Sequence, residues 1–156
     1  MIKPLFLFLL TIAKATVFQL DVISDKIKNI DTEYVVVQAW ATFCEPCGEE
    51  VYELNKTLGL INKTKEKLKI IGVPIQSRKK EIAAFIDHFK PNYEQLIVDS
   101  KVSDNFFNNN ASVPLIQLFA GKKRLKVKEW RGKITAFDLL KEIEVLEKNR
   151  QNQEAM

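Results

Sequence analysis

The chain contains two cysteines, Cys44 and Cys47, separated by two residues and placed after a strongly β-prone run. Residues 34–40 are mostly β-branched and aromatic, which is typical of a buried central strand. The segment after the second cysteine places apolar residues on one helical face, namely Val51, Leu54 and Leu58. This order predicts a strand that leads a Cys-x-x-Cys pair to the first turn of a helix.

A Cys-x-x-Cys pair at the start of a helix is suited to redox chemistry. Unpaired backbone N–H groups and the helix dipole stabilise a thiolate there, and the second thiol is placed to displace a mixed disulfide. Pro46 fits the first turn, where the missing N–H of a proline has no cost. We predict that Cys44, at the helix start, is the attacking thiolate and that Cys47, further into the helix, is the resolving thiol.

Three other interpretations of the pair are compatible with the sequence. A structural disulfide across so short a loop stabilises by only roughly 2 kcal/mol, against about 4–5 kcal/mol for a loop of a hundred residues. Structural zinc usually takes four ligands, and His88 is the single histidine that could join the cysteines. The third interpretation is two inert thiols, which the position at a predicted helix start disfavours.

Residues 1–15 have the pattern of a secretory signal peptide. Lys3 precedes an apolar core over 4–13, and residues 13–15, Ala-Lys-Ala, fit a cleavage site before Thr16. The core would be about 15 Å long as a helix, half of a ~30 Å hydrocarbon layer. We expect export with cleavage to the periplasm. The alternatives are an uncleaved anchor on the outer face of the cytoplasmic membrane and a cytosolic protein with an apolar start.

The rest of the chain has the composition of one globular domain. Of 156 residues, 46% are hydrophobic and 28% are charged. The formal charge of +4 becomes +2 without residues 1–15, because these hold two lysines and no acid. So small a charge does not favour nucleic acid as a partner. We expect a domain over 16–150 and a frayed tail over 151–156.

Strands and helices alternate in the predicted order of elements. Residues 17–33 are expected to form a short strand and a loop. Further strands are predicted at 68–73, 95–99, 113–119 and 125–130, the last two as a hairpin through Gly121, and helices at 79–90, 102–107 and from Thr135 onward. This order predicts an α/β fold in which helices cover both faces of a central mixed sheet.

Two segments near the end carry predictions about burial. In the basic run over 122–128, alternation predicts that Leu125 and Val127 point inward and the lysines outward. In the last helix, Thr135 and Asp138 form a capping pair. The residues predicted to be buried by that helix are Phe137, Leu140, Ile143 and Leu146.

Residues 40–47, Trp-Ala-Thr-Phe-Cys-Glu-Pro-Cys, resemble the active site of thioredoxin-fold oxidoreductases. In detail they resemble the exported TlpA/ResA branch, where Trp-x-Thr-Trp-Cys-Glu-Pro-Cys is a familiar form, and Phe43 replaces the second tryptophan. The resemblance extends over roughly residues 34–148. It implies a thioredoxin-like fold in which the helix and strand over 79–99 form the insertion typical of this branch.

The resemblance also implies a second site element at Val113-Pro114. In the family, a cis-proline at this place begins the strand that faces the Cys-x-x-Cys, and the backbone of the preceding residue pairs with the substrate. A trans proline that opens a strand is the alternative, because X–Pro bonds are cis only about 5% of the time. Leu115 stands where the family often has threonine.

Glu50, three residues after Cys47, matches a glutamate that lies near the cysteines in ResA-like proteins. Gln38 occupies the place of a buried aspartate of thioredoxin and cannot take a proton. We hypothesise that Glu50 handles the protons of exchange; a solvated helix glutamate is the alternative. Trp40 and Phe43 are expected either in the core or in contact with substrate. The candidate substrate-binding residues are Val113, Pro114, Trp40, Phe43 and Glu45.

The acidic residue Glu45, between the cysteines, indicates that the protein acts as a reductant rather than as an oxidant. A helix terminus stabilises a thiolate by about 0.3–1 kcal/mol when exposed and up to ~2 kcal/mol when partly buried. A carboxylate at ~7 Å opposes this by about 2 kcal/mol at an effective dielectric of ~20. Because the two effects roughly cancel, the site lacks the strongly stabilised thiolate of an oxidant such as DsbA.

The sequence therefore predicts an exported thiol:disulfide oxidoreductase that reduces protein disulfides, with the Cys44–Cys47 couple in place of any cofactor or metal. The resemblance suggests apocytochrome c as a substrate and a membrane thiol donor of the DsbD/CcdA type as the electron source. One alternative is a disulfide-forming oxidant or isomerase. The other is a non-catalytic thioredoxin-fold module that binds peptides.

Overall fold

A single mixed sheet lies at the centre of the structure. The computed structural model describes residues 22–62, 67–109 and 112–156. The strands in these ranges are β1 (Tyr34–Trp40), β2 (Leu68–Pro74), β3 (Glu94–Gln95), β4 (Leu115–Ala120) and β5 (Leu125–Arg131). The helices are α1 (Val22–Lys28), α2 (Glu45–Ile61), α3 (Lys79–Phe89), α4 (Ser100–Phe106) and α5 (Ala136–Glu154). The spatial order of the strands is β3-β2-β1-β4-β5.

Strand β1 is the central strand and is buried along its whole length. It pairs in parallel with β2 and antiparallel with β4. Its side chains alternate between two apolar clusters: one contains Val35, Val37 and Ala39, and the other contains Tyr34 and Val36. A strand with apolar neighbours on both faces carries an almost continuous apolar run, which is the pattern that made β1 predictable.

Helices contribute to both apolar clusters. Ile23 of α1 and Phe85 of α3 belong to the cluster that contains the two cysteines, and Leu139 of α5 belongs to the other. Helix α2 reaches both, through Val51 and Leu54. This arrangement confirms the predicted α/β fold, with a helix-strand insertion in α3 and β3.

The carboxyl end of β1 and the start of β4 lie at the same end of the sheet, because these neighbouring strands are antiparallel. Leu115, the first residue of β4, pairs with Ala39 near the end of β1. Cys44 follows β1 after a short turn and precedes α2, while Pro114 directly precedes β4. The topology therefore brings the cysteines and Pro114 to one end of the sheet.

Residues 22–28 form helix α1, whereas a strand and a loop were predicted over 17–33. Ile23 and Ile27 are buried, and their spacing of four fits one face of either a helix or a strand. The decisive contact comes from a distant residue: the Arg124 guanidinium donates to the carbonyl oxygens of Ile27 and Ile30 at the end of this helix. Residues 17–21 and the predicted signal peptide over 1–15 lie outside the described residues.

The inward orientation predicted for Leu125 and Val127 is wrong, since their exposed fractions are 64% and 37%. Strand β5 lies at the edge of the sheet, and its pairing with β4 has an irregularity at Leu118/Phe119 that shifts the register. A register shift of this kind interrupts the alternation of inward-facing and outward-facing side chains along the strand.

Helix α5 begins with the predicted capping box between Thr135 and Asp138. Its buried residues are Ala136, Leu139 and Ile143. Phe137 is 71% exposed, so its predicted burial is wrong, whereas the predicted burial of Ile143 is confirmed and Leu146 packs against the core. The segment predicted as a frayed tail is helical as far as Glu154.

The predicted strand over 95–99 is confined to the two residues of β3, which pair with Ile71 and Gly72 of β2. The chain leaves the sheet after this pair because Asp99 is the N-cap of α4, where its side chain accepts a hydrogen bond from the backbone N–H of Lys101. In the described ranges no helix has both the length and the apolar character needed to cross a membrane.

Candidate active site

Cys44 and Cys47 form a disulfide at the N-terminus of α2, with their Cα atoms 5.4 Å apart. Cys44 is the N-cap residue and makes no side-chain capping hydrogen bond. Its side chain is 8% exposed, whereas Cys47 is completely buried. This difference in access is the one expected of an attacking and a resolving thiol, and the assignment of the two roles stays a prediction.

The Val113–Pro114 peptide bond is cis, as the resemblance implied. Pro114 is buried, and its carbonyl oxygen accepts a hydrogen bond of 2.8 Å from the backbone N–H of Gly132. Val113 is half-buried and packs against the apolar cluster that contains both cysteines. Val113 and Pro114 therefore lie at the same end of the sheet as the disulfide.

Glu50 is completely buried, one turn after Cys47 on α2. Its carboxyl oxygens accept hydrogen bonds of 3.1 Å from the side-chain amide of Gln38 and 3.3 Å from the backbone N–H of Ile134. Burial raises the pKa of Glu50 to about 7, although both hydrogen bonds and the charge of Lys133 oppose the shift. The alternative of a solvated glutamate is wrong.

Trp40 and Phe43 have different environments. Trp40 is 1% exposed, stacks on Phe85 with ring centroids 4.1 Å apart, and donates a hydrogen bond of 2.9 Å from Nε1 to Gln95 Oε1. Trp40 is therefore a core residue in this structure, and its assignment to substrate binding stays a prediction. Phe43 is 67% exposed next to Cys44, and Glu45 is exposed on the first turn of α2.

A surface cleft of about 680 Å³ begins at Phe43 and runs along α3. The residues that line it include Thr42, Arg78 and the exposed His88. Because Phe43 directly precedes Cys44 in the sequence, the cleft begins next to the disulfide.

Tyr93 is a residue of the site that was not predicted from the sequence. Its hydroxyl donates a hydrogen bond of 2.8 Å to Gln38 Oε1, and burial raises the pKa of the phenol above its usual value. The two residues are 55 positions apart. No local pattern in the sequence indicates such a contact, although a glutamine in an otherwise apolar central strand could have signalled that it needs a polar partner.

The ring of Phe89 is a second unforeseen neighbour of the site. It occupies the space beside Gly48, where a Cβ atom would lie 2.3 Å from the ring. Within the ranges that the structure describes, no cluster of three or more histidine, cysteine, aspartate or glutamate side chains is arranged to hold a metal ion.

Together the strand order, the Cys-x-x-Cys disulfide at a helix N-terminus and the adjacent cis-proline define a thioredoxin-like protein with a dithiol/disulfide site. The sequence matches no family profile and no curated protein. Solved structures, in contrast, share its fold.

Three of these structures illustrate the likeness. The thioredoxin-related protein from Neisseria meningitidis serogroup B has a TM-score of 0.64 at 18% identity, over 76% of this chain and 88% of that chain. StoA from Bacillus subtilis has a TM-score of 0.57 at 19% identity, over 71% and 82%. A secreted Mycobacterium tuberculosis disulfide oxidoreductase homologous to E. coli DsbE has a TM-score of 0.57 at 13% identity, over 69% and 77%. At these identities the likeness is one of fold.

Proposed function

We propose that this protein is a thiol:disulfide oxidoreductase that reduces disulfides in other proteins through Cys44 and Cys47. The observation that carries the proposal is the position of the disulfide: Cys44 is the N-cap residue of α2 and keeps 8% of its surface exposed, whereas the completely buried Cys47 lies one turn before the buried carboxyl of Glu50. An accessible thiolate, a resolving thiol and a proton acceptor are the three groups that dithiol exchange requires.

The first step joins the reduced protein to its substrate. The Cys44 thiolate, stabilised by the N–H groups of the first turn of α2, attacks one sulfur of the substrate disulfide. A mixed disulfide forms as the substrate S–S bond breaks, and the second substrate sulfur leaves as a thiolate that takes a proton from water. The exposed Phe43 and the backbone of Val113 flank the attacked bond.

The second step releases the substrate. The Cys47 thiol gives its proton to Glu50 and attacks the sulfur of Cys44, so that the mixed disulfide breaks and the substrate sulfur that was bonded to Cys44 leaves as a thiolate. Residues three apart on a helix lie about 5–6 Å apart at Cβ, and a carboxyl with a pKa of about 7 can accept and return a proton near neutral pH. Two electrons pass to the substrate, and the Cys44–Cys47 disulfide of the structure is the product.

Glu45 supports the direction of electron flow. Its exposed carboxylate lies in the first turn of α2, where it opposes the stabilisation of the Cys44 thiolate by the helix dipole. A thiolate that is weakly stabilised makes the reduced form a better electron donor. The protein would then need a dithiol donor to return it to the reduced state.

The finer assignment rests on the resemblance of residues 40–47 to the TlpA/ResA branch and on residues 1–15. It comprises export to the periplasm, apocytochrome c as a substrate in cytochrome c maturation, and a membrane donor of the DsbD/CcdA type. One of the proteins with the same fold is described as secreted, which supports an extracytoplasmic location.

Trapping of the mixed disulfide tests the proposal. A reduced Cys47→Ser variant should accumulate a covalent complex with a disulfide-bonded protein such as insulin, and dithiothreitol should release it. Cys44→Ser should form no such complex, and the reduced wild-type protein should complete one turnover. Failure of Cys44 to react even with a small disulfide would favour a non-catalytic peptide-binding module.

A further inference from the structure

A chain of hydrogen bonds leads from Tyr93 through Gln38 to Glu50. The Tyr93 hydroxyl donates to Gln38 Oε1 over 2.8 Å, and Gln38 Nε2 donates to Glu50 Oε2 over 3.1 Å. The three side chains come from three parts of the fold: the segment before β3, the central strand β1 and the active-site helix α2. Gln38 and Glu50 are completely buried, so water cannot replace their protein hydrogen-bond partners.

We propose that Tyr93 is a positioning residue, which holds the Gln38 amide so that its N–H group rather than its oxygen faces Glu50. This inference rests on the proposed function, because Glu50 matters to exchange only if it takes the proton of Cys47. It assigns a role in the site to the segment between α3 and β3, which touches neither cysteine.

The donors and acceptors of each group determine which orientation of the Gln38 amide fits the site. A glutamine amide offers an oxygen at one end and an NH₂ at the other, and only the NH₂ can pair with an ionised carboxylate. In the observed orientation the Tyr93 proton satisfies the oxygen of Gln38, which leaves the NH₂ for Glu50. In the flipped orientation the Tyr93 proton would lose this acceptor. The oxygen of Gln38 would then face Glu50, and because an oxygen cannot donate to a carboxylate, this orientation favours the protonated carboxyl.

Tyr93 is itself held in place from the other side. Its carbonyl oxygen accepts a hydrogen bond of 3.2 Å from Gln95 Nε2, and Gln95 Oε1 accepts the indole N–H of Trp40 over 2.9 Å. Gly72 makes room for this amide, since a Cβ atom there would lie 2.2 Å from Gln95 Oε1. The backbone of Tyr93 is therefore linked through Gln95 to Trp40 at the end of β1.

Other groups near Glu50 act on it independently of Tyr93. The positive charge of Lys133, which is ion-paired with Glu49, favours the ionised form of the Glu50 carboxyl, and the backbone N–H of Ile134 donates to Oε1. Glu53, one turn further on α2, accepts the backbone N–H of Ala136 over 2.8 Å, and Cys47 lies one turn before. None of these contacts involves Tyr93, so a Tyr93→Phe substitution leaves them in place.

The experiment compares Tyr93→Phe with Tyr52→Phe, a matched control in which an exposed tyrosine of α2 loses the same hydroxyl. The titration of the Glu50 carboxyl is followed by carbon-13 NMR in the oxidised protein, with no substrate present. The Tyr93→Phe titration should move upward by about one pH unit, the effect of weakening one hydrogen bond to a charged group. Tyr52→Phe should titrate like the wild-type protein.

A double-mutant cycle with Gln38→Met adds a second check. If Tyr93 acts through Gln38, then Tyr93→Phe should cause no further shift once Gln38 is replaced. An unchanged Glu50 titration in Tyr93→Phe, or an equal shift with and without Gln38, would overturn the proposal.

The rate of exchange with a small disulfide, measured against pH, separates this inference from the proposed function. A titration shift matched by the same shift in the pH profile of the exchange rate supports the positioning role of Tyr93 and the role of Glu50 in exchange. A titration shift without any change in the pH profile supports the positioning role and contradicts the role of Glu50 in exchange.

Discussion

Cys47 and Glu50 lie one turn apart on α2, and both side chains are completely buried. The disulfide removes the cysteine as an acid, so in the structure the carboxyl is the titratable group at the inner end of the site. Its pKa of about 7 comes from burial, which disfavours the ionised form. The same burial that suits Glu50 to proton transfer near neutral pH must therefore reduce the stability of the fold when the group ionises.

Replacement of Glu50 by glutamine should change how stability depends on pH. Between pH 4.5 and about 7 the folded protein binds more protons than the unfolded chain, because the pKa of Glu50 is raised on folding. Wild-type stability should therefore fall as pH rises through this window, by roughly 2–3 kcal/mol more than that of Glu50→Gln between pH 5 and 8. Urea unfolding of both oxidised proteins measures this, and parallel pH profiles would contradict the buried titration.

Substitution of Gly48 by alanine tests the contact with Phe89. A glycine in a helix costs about 1 kcal/mol relative to alanine, so Gly59→Ala, with no atom within 4 Å of the new Cβ, should stabilise the protein. Gly48→Ala should be less stable than Gly59→Ala by about 1–2 kcal/mol, because the new Cβ displaces the Phe89 ring. Thermal unfolding measures the difference, which should vanish in a Phe89→Ala background. A persistent difference there would contradict the contact.

Arg124 should contribute far more to stability than its position in a basic run indicates. It is 9% exposed, and its guanidinium donates to the carbonyl oxygens of Ile27, Glu33 and Gly121 among others. A hydrogen bond of a charged group is worth about 1.5–3 kcal/mol, and Arg124 makes several, so Arg124→Ala should lower the free energy of unfolding by at least about 3 kcal/mol. The exposed neighbour Lys123 is the control, and equal effects of the two alanine substitutions would contradict the anchoring role.

Phe43 should matter to protein substrates and not to small ones. Burial of part of an exposed aromatic ring against a partner contributes about 1 kcal/mol, so Phe43→Ala should lower kcat/KM for a disulfide-bonded protein by about fivefold. Reaction of Cys44 with a small disulfide should be unchanged, as should both reactions of Phe137→Ala, an exposed phenylalanine on α5. Equal losses with both substrates would show that Phe43 supports the site rather than the partner.

The sequence contained enough to predict the strand, the Cys-x-x-Cys pair and the helix that together build the site. These elements depend on local patterns: an apolar run over 34–40, a proline in the first turn and a helical stripe after Cys47. Pro114 and Glu50 were predictable only through the resemblance, because neither a lone proline nor a lone glutamate indicates its environment.

The contacts that could not be predicted join residues distant in sequence. Tyr93 orients Gln38, and Arg124 fixes the end of α1, across separations of 55 and more than 90 residues. The predicted burial of Phe137 and of Val127 was wrong for two other reasons: in α5 the apolar pattern fits two faces and tertiary packing selects one, and in β5 the register shift interrupts the alternation. The periodicity of apolar residues indicates which faces of an element could be buried, and the packing of the assembled fold determines which face is.

The most direct test of the account is the equilibrium potential of the Cys44–Cys47 couple, measured by thiol alkylation in glutathione or dithiothreitol buffers. A protein-disulfide reductase with Glu45 beside its attacking thiol should have a potential near or below the value of about −270 mV of thioredoxin. A potential near the value of about −120 mV of DsbA would contradict the account and make the protein a disulfide-forming oxidant.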